Sequence, residues 1–230
     1  MDEDCSTTLN TLEIKHHEWF GTQVCITTIS KKRRNCVQTI NIRFEYILKF
    51  LRLISIDESK IIFMDETGFN ISMRSIYGRS PRSAQPTKIV KSIRSKNISM
   101  SYRINTNKMI HYELLDRAYN RENYEASLSN LFSKLAEMNF THCTFIMDNI
   151  TAFRHLVLYL PPCSPFINPK RRHSGKIKAN VRRSEPKNSE ELMAEINSSY
   201  TLSNSADCMG FYKATKRYFD ACPNKEEIHY

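Results

Sequence analysis

KIIFMDE, residues 60–66, runs straight into Thr67-Gly68, and the fold turns on how this stretch is read. A short apolar run that ends in carboxylates and meets a glycine turn predicts a buried strand. CTFIMD, 143–148, has the same form, and LVLYL, 156–160, is a third candidate for a central strand. Between the first two, NISMSYRI (97–104) alternates Ile98, Met100, Tyr102 and Ile104 with polar neighbours. KMIHYELL (108–115) does the same with Ile110, Tyr112 and Leu114. The turn-prone Asn105-Thr106-Asn107 link joins these two into a hairpin with one apolar face. Asn120 can cap a helix over 121–138, where Leu128, Leu131, Phe132, Leu135 and Met138 recur at helical spacing. The order strand, hairpin, helix, strand, strand, helix predicts a mixed α/β layer architecture.

A chain of 230 residues is long enough for one large or two small domains. Its 40% hydrophobic content supports a real core. No apolar stretch is long enough to cross a bilayer, because Lys49 and Arg52 interrupt the richest region, 44–56. MDEDCSTTLN at the start has neither the basic opening nor the apolar centre of a signal peptide. Cysteines at 5, 25, 36, 143, 163, 208 and 222 form no C-x-x-C pair, which suits reduced intracellular thiols better than a disulfide framework or zinc module. Residues 1–59 show helical patches without a clear domain, and 184–207 read as a polar linker with one short helix near 189–198.

The net charge of +10 is concentrated. No acid lies between Asp148 and Glu185, an interval carrying Arg154, Lys170, Arg171, Arg172, Lys176, Lys178, Arg182 and Arg183. A second acid-free stretch, 79–96, carries Arg79, Arg82, Lys88, Lys91, Arg94 and Lys96. Two basic segments suit a polyanion, most simply nucleic acid, or else the solvated faces of an ordinary basic protein.

Asp65 and Asp148 each close an apolar strand. If the strands are neighbours, the carboxylates meet at one sheet edge, and paired hard oxygen ligands there suit Mg²⁺ in phosphoryl transfer. The plainer alternative makes each a turn residue closing a strand. Strand alternation points the adjacent Glu66 and Asn149 to the opposite face.

MDETGFN (64–70), YGRSP (77–81), IMDN (146–149) and LPPCSPFINP (160–169), in that order, closely resemble the mariner-type branch of the DDE transposases, which cut and join DNA. The resemblance covers about 60–183. The tail DCMGFYKATKRYFDAC (207–222) also resembles the family's C-terminal end, and VCITTISKKRRNC (24–36) faintly resembles the end of its second helix-turn-helix. The resemblance implies an α/β, ribonuclease H-like mixed sheet with flanking helices over 60–183. It implies a helix-turn-helix remnant and linker over 1–59, and a helical tail over 184–230. It maps the first and second catalytic, metal-binding acids onto Asp65 and Asp148, with Mg²⁺ or Mn²⁺ as cofactor. DNA is then the partner, and the two basic stretches supply its expected contacts: Arg79, Arg82, Lys88, Lys91, Lys170, Arg171, Arg172, Lys176, Lys178, Arg182 and Arg183. A homodimer, as in related transposases, a nuclear location and no membrane association complete the expectation. PKRRH (169–173) can serve nuclear import or face phosphates.

The same comparison reveals departures. Family members continue Asn-Pro-Ile-Glu-Asn, with the acid as third metal ligand, whereas this chain has Asn168-Pro169-Lys170-Arg171-Arg172. Arg171 holds the third acid's position, and a guanidinium cannot ligate a cation. The expected result is that Arg171 pairs with Asp65 or Asp148 and displaces the metal. Only 149–155 connects the second and third candidate central strands, too short for the usual helical crossover after the fourth strand. Phe153 stands where the family tends to have a histidine, and 64 residues before Asp65 are few for two helix-turn-helix modules. These features fit a transposase relic shortened on both sides of its catalytic core. Three readings follow: a DNA-joining enzyme by descent, a non-catalytic DNA-binding remnant, or a pseudogene product without function.

Overall fold

The computed structural model describes residues 11, 14, 31–74, 79–85, 87, 97–148 and 157–228. The KIIFMDE stretch opens strand β1 (Ile61–Phe69). The hairpin follows as β2 (Ile98–Ile104) and β3 (Met109–Leu115). Its turn is held by Asn105, whose side chain accepts from the N–H groups of Asn107 and Lys108 at 2.9 and 2.7 Å. Strands β4 (Thr144–Met147) and β5 (Val157–Tyr159) complete a five-stranded sheet in the order β3-β2-β1-β4-β5. β1 is antiparallel to β2 and parallel to β4, and β4 is parallel to β5. Nine residues, 148–156, separate these last two strands, fewer than the dozen or so that a parallel crossover usually takes.

Among the described residues the sheet is flanked by helices α1 (Val37–Asp57), α2 (Arg121–Glu137), α3 (Pro169–Ser184), α4 (Ser189–Thr201) and α5 (Ser205–Lys216). The local signals for four of them are alike. Asn120, Asn168, Asn188 and Asn204 each accept a hydrogen bond from a backbone N–H of the first turn, satisfying a donor that the helix itself cannot. Pro169 opens α3, where its missing N–H costs nothing.

The period-two alternation of β1 divides the core in two. Ile62 and Met64 join Phe145 and Met147 in packing on Leu128, Leu131 and Leu135 of α2. Ile61 and Phe63 face the other way with Tyr102 and Ile146, toward Tyr46, Ile47 and Phe50 of α1 and Ile177 and Val181 of α3. Phe50 has its ring 6.3 Å from Phe63 and 5.1 Å from Phe219, and is wholly buried. Truncating such a residue to alanine costs about 3–5 kcal/mol.

The structure corrects the expected linker. Residues 184–207 are mostly helical, and Leu192, Ile196 and Tyr200 are buried in the second core. Their i, i+4, i+8 spacing carried the signal, diluted by Ser and Asn between them. Helix α1 is buried in the same core, so packing continues across both 59/60 and 183/184 rather than breaking there.

Candidate functional site

Strand register brings the two aspartates together. Phe63 pairs with Ile146 in the parallel β1–β4 ladder. Two residues further on stand Asp65, within β1, and Asp148, just past the end of β4. Neighbouring strands lie about 4.8 Å apart, and both aspartates line one cleft of about 730 Å³. The Asp65 carboxylate accepts from the Glu66 N–H at 2.9 Å.

Glu66 points to the α2 side, as alternation requires, yet it also borders the cleft, because that cleft opens at the sheet edge. A smaller cavity of about 160 Å³ lies there, bordered by Asp65, Glu66, Tyr124 and Asp148. Burial first, and the neighbouring Asp65 charge second, raise the Glu66 pKa above the usual carboxylate value, opposed by Lys170 and Arg103. The expectation that Glu66 stands apart from the aspartates is corrected to this extent.

The opposite wall of the cleft is α3. Arg171 lines it and is exposed, and among the described residues it forms no ion pair with Asp65 or Asp148. The expected Arg171–aspartate pairing is therefore not what forms. Lys170 takes the inner position instead. It is 0% exposed, its Nζ donates to the Asp65 main-chain oxygen at 2.5 Å, and the same Nζ stands 3.7 Å from the Tyr102 ring centroid. Burial pulls the Lys170 pKa well below the usual lysine value, Asp65 and Glu66 oppose this, and Arg103 adds to it. A side chain so enclosed has no access to phosphate, which removes Lys170 from the expected DNA contacts.

The other expected DNA contacts divide. Arg172, Arg182 and Arg183 are exposed on α3, and Arg79 and Arg82 are exposed on the 79–85 segment. Lys178 is half-buried along the cleft, with its Nζ 5.8 Å from the Phe69 ring centroid. Burial, then the Arg182 charge, lowers its pKa; Arg171 adds to this and Asp65 opposes it. Lys176 is already paired with Asp207 at 2.6 Å. Lys88, Lys91, Asn149 and Phe153 lie outside the described residues, as does the 149–155 link.

Sequence reasoning missed two cleft residues. Arg33 and Arg34, 7% and 9% exposed, also line the cleft. Arg43 of α1 fixes that turn by donating to the Arg34 main-chain oxygen at 2.7 Å. The KKRR block at 31–34 was the available signal, but nothing local in it indicates that it folds back onto the sheet edge.

Arg33, Arg34, Arg171 and Lys178 line the cleft together with Asp65, Glu66 and Asp148. Four cationic and three acidic residues therefore share it. Among the described residues no three acid, imidazole or thiolate groups gather as ligands for an ion. This donor set does not fit the divalent metal that the resemblance implies: a hard cation needs several oxygens, and the protein cations that line the same cleft oppose it.

A sheet in the order 3-2-1-4-5 with helices on both faces, carrying Asp65 within β1 and Asp148 just past β4, defines a protein of ribonuclease H-like fold. The family model described as DDE superfamily endonuclease matches residues 60–193, and the chain belongs to that family. Comparison with curated proteins by sequence gave no match. Among solved structures, the chain is similar to the Mos1 mariner paired end complex with Mn, at 14% identity and TM-score 0.68, covering 100% of this chain and 81% of that one. A pre-cleavage Mos1 transpososome matches at 15% identity and TM-score 0.67, covering 100% and 77%. The catalytic domain of Mos1 mariner transposase matches at 14% identity and TM-score 0.61, covering 85% and 97%. At these identities the shared property is the fold.

Proposed function

We propose that this chain is a transposase-derived protein that binds DNA along the α3 side of its cleft and does not cut it. One observation carries this: four cations line a cleft whose acid pair, among the described residues, gathers no third acid, imidazole or thiolate as a metal ligand. Arg171, Gly175, Lys178 and Arg182 follow one another at helical spacings of four, three and four, giving a strip about 16 Å long at 1.5 Å per residue. Lys178 already feels the charge of its cationic neighbours, and a phosphate backbone relieves that crowding. The solved relatives named as paired-end and pre-cleavage complexes support DNA as the ligand class. Homodimer formation and a nuclear location belong to the same proposal.

Salt dependence tests it. Affinity for an unrelated duplex should fall steeply between 50 and 200 mM salt, with weak sequence preference. Binding insensitive to salt, or directed to one short sequence, would overturn it. A second reading, metal-dependent cutting and joining through Asp65 and Asp148, is favoured by their register alone. Metal-dependent nicking of plasmid DNA would establish it.

A further inference from the structure

We infer that Lys170, not its neighbour Arg171, is the residue that closes the acid pair to divalent ions. The inference rests on the reading above that the cleft holds no such ion, and names the group responsible. The resemblance places an apolar residue at position 170, and burial agrees, since the whole side chain is enclosed. A long apolar side chain there would meet the Tyr102 ring and end. Lysine instead carries an amine past that ring to the strand bearing Asp65.

Both ends of Lys170 are fixed. Its main-chain N–H donates to the Asn168 side chain at 3.0 Å, and its main-chain oxygen accepts from the Tyr102 hydroxyl at 2.8 Å. Its Nζ donates to the Asp65 main-chain oxygen, so the amine is committed to the acid strand. A cation arriving at the Asp65 carboxylate meets an amine that is held on the same residue and enclosed away from water. Arg171 is different. Exposed on the first turn of α3, it can turn its guanidinium toward solvent, where screening weakens its repulsion. Of two adjacent basic residues, the buried one controls the ion.

The test titrates the full chain with Mn²⁺ and follows the electron paramagnetic resonance signal of the unbound ion. The unmodified chain should show no binding tighter than millimolar. Lys170→Met, which fills the same channel without the amine, should gain about tenfold or more in Mn²⁺ affinity, and adding Asp65→Asn should remove the gain. Arg171→Glu alone should gain less than about twofold. The opposite pattern, a large gain in Arg171→Glu and none in folded Lys170→Met, overturns the inference while leaving the ion-poor cleft standing. Micromolar binding by the unmodified chain overturns both. A measurement on the unmodified chain covers the case in which Lys170→Met does not fold. Acetylation read by mass spectrometry should leave Lys170 unlabelled with or without millimolar Mn²⁺, while the exposed Lys213 reacts. Labelling of Lys170 at the Lys213 rate, or only after Mn²⁺ is added, shows that the amine does not hold its place and sinks the inference.

Discussion

Tyr102 and Lys170 grip each other at two points: the tyrosine hydroxyl donates to the lysine main-chain oxygen at 2.8 Å, and the lysine Nζ stands 3.7 Å from the ring centroid. Tyr102 is also the cross-strand partner of Asp65. The first turn of α3 is thereby tied to the strand that presents the first acid. Tyr102→Phe keeps the ring and removes the hydroxyl, leaving a buried carbonyl without this donor. The expected cost is about 1–2 kcal/mol, seen as a lower urea midpoint with an unchanged slope. An unchanged midpoint would mean that α3 is docked without this bond.

DNA contact should map to particular α3 side chains. Arg171→Ala and Arg182→Ala each remove an exposed cation from the strip, and each should reduce the salt slope of binding by about 1. Lys176→Ala should do less, because Asp207 already pairs with that ammonium. Fluorescence anisotropy with a labelled duplex, repeated across salt concentrations, measures all three. Equal slopes in every variant would move the DNA to another face.

Catalysis should be absent. Plasmid nicking and strand transfer are expected to stay at background with Mg²⁺ or Mn²⁺, since in-line phosphoryl transfer with metal ions relies on two of them and Arg171 stands where the resemblance would place a third acid. Arg171→Glu should not restore full activity, because only nine residues separate β4 from β5, fewer than a parallel crossover usually takes, and catalysis tolerates little misplacement. Nicking that disappears in both Asp65→Ala and Asp148→Ala would show that another acid completes the site.

The sheet was legible because its strands state their period openly. KIIFMDE, the 97–115 hairpin and CTFIMD carry clean apolar patterns, and Asn120 announces α2. Helix α4 was not legible as core, since Leu192, Ile196 and Tyr200 stand among serines and acids and are buried only by α3 and the sheet. In the site, register made the Asp65–Asp148 meeting foreseeable. The roles of Lys170 and Arg171 were not, because a linear run of basic residues does not say which one points inward. Helical phase decides that: Lys170, His173, Ile177 and Val181 share the buried face, three and four residues apart, while Arg171 falls on the exposed one. Arg33 and Arg34 reach the cleft only through tertiary folding that no local pattern encodes.

That buried face also holds a titratable group with a consequence for acid stability. His173 is wholly buried, with ring centroids of Tyr102 and Phe211 at 5.2 and 5.8 Å. Burial first, and the Lys170 charge second, lower its pKa from 6.5 to about 4, against an opposing pull from Asp207. The unfolded chain takes up this proton near pH 6.5 and the folded chain only near pH 4. Between these values the unfolded state binds more protons, so stability falls as the solution is acidified. The contribution is whole above about pH 6.5 and is lost progressively down to about pH 4, a difference of about 3 kcal/mol. Asp207 and Glu58, whose carboxyls are held below their ordinary values of 3.8 and 4.5, lose their contributions at more acid pH. His173→Phe should therefore flatten the stability profile between about pH 6.5 and 4.5 while leaving the steeper loss below it. Urea melts of both proteins at pH 7, 5.5 and 4.5 measure the difference, and parallel profiles would assign the acid sensitivity to other groups.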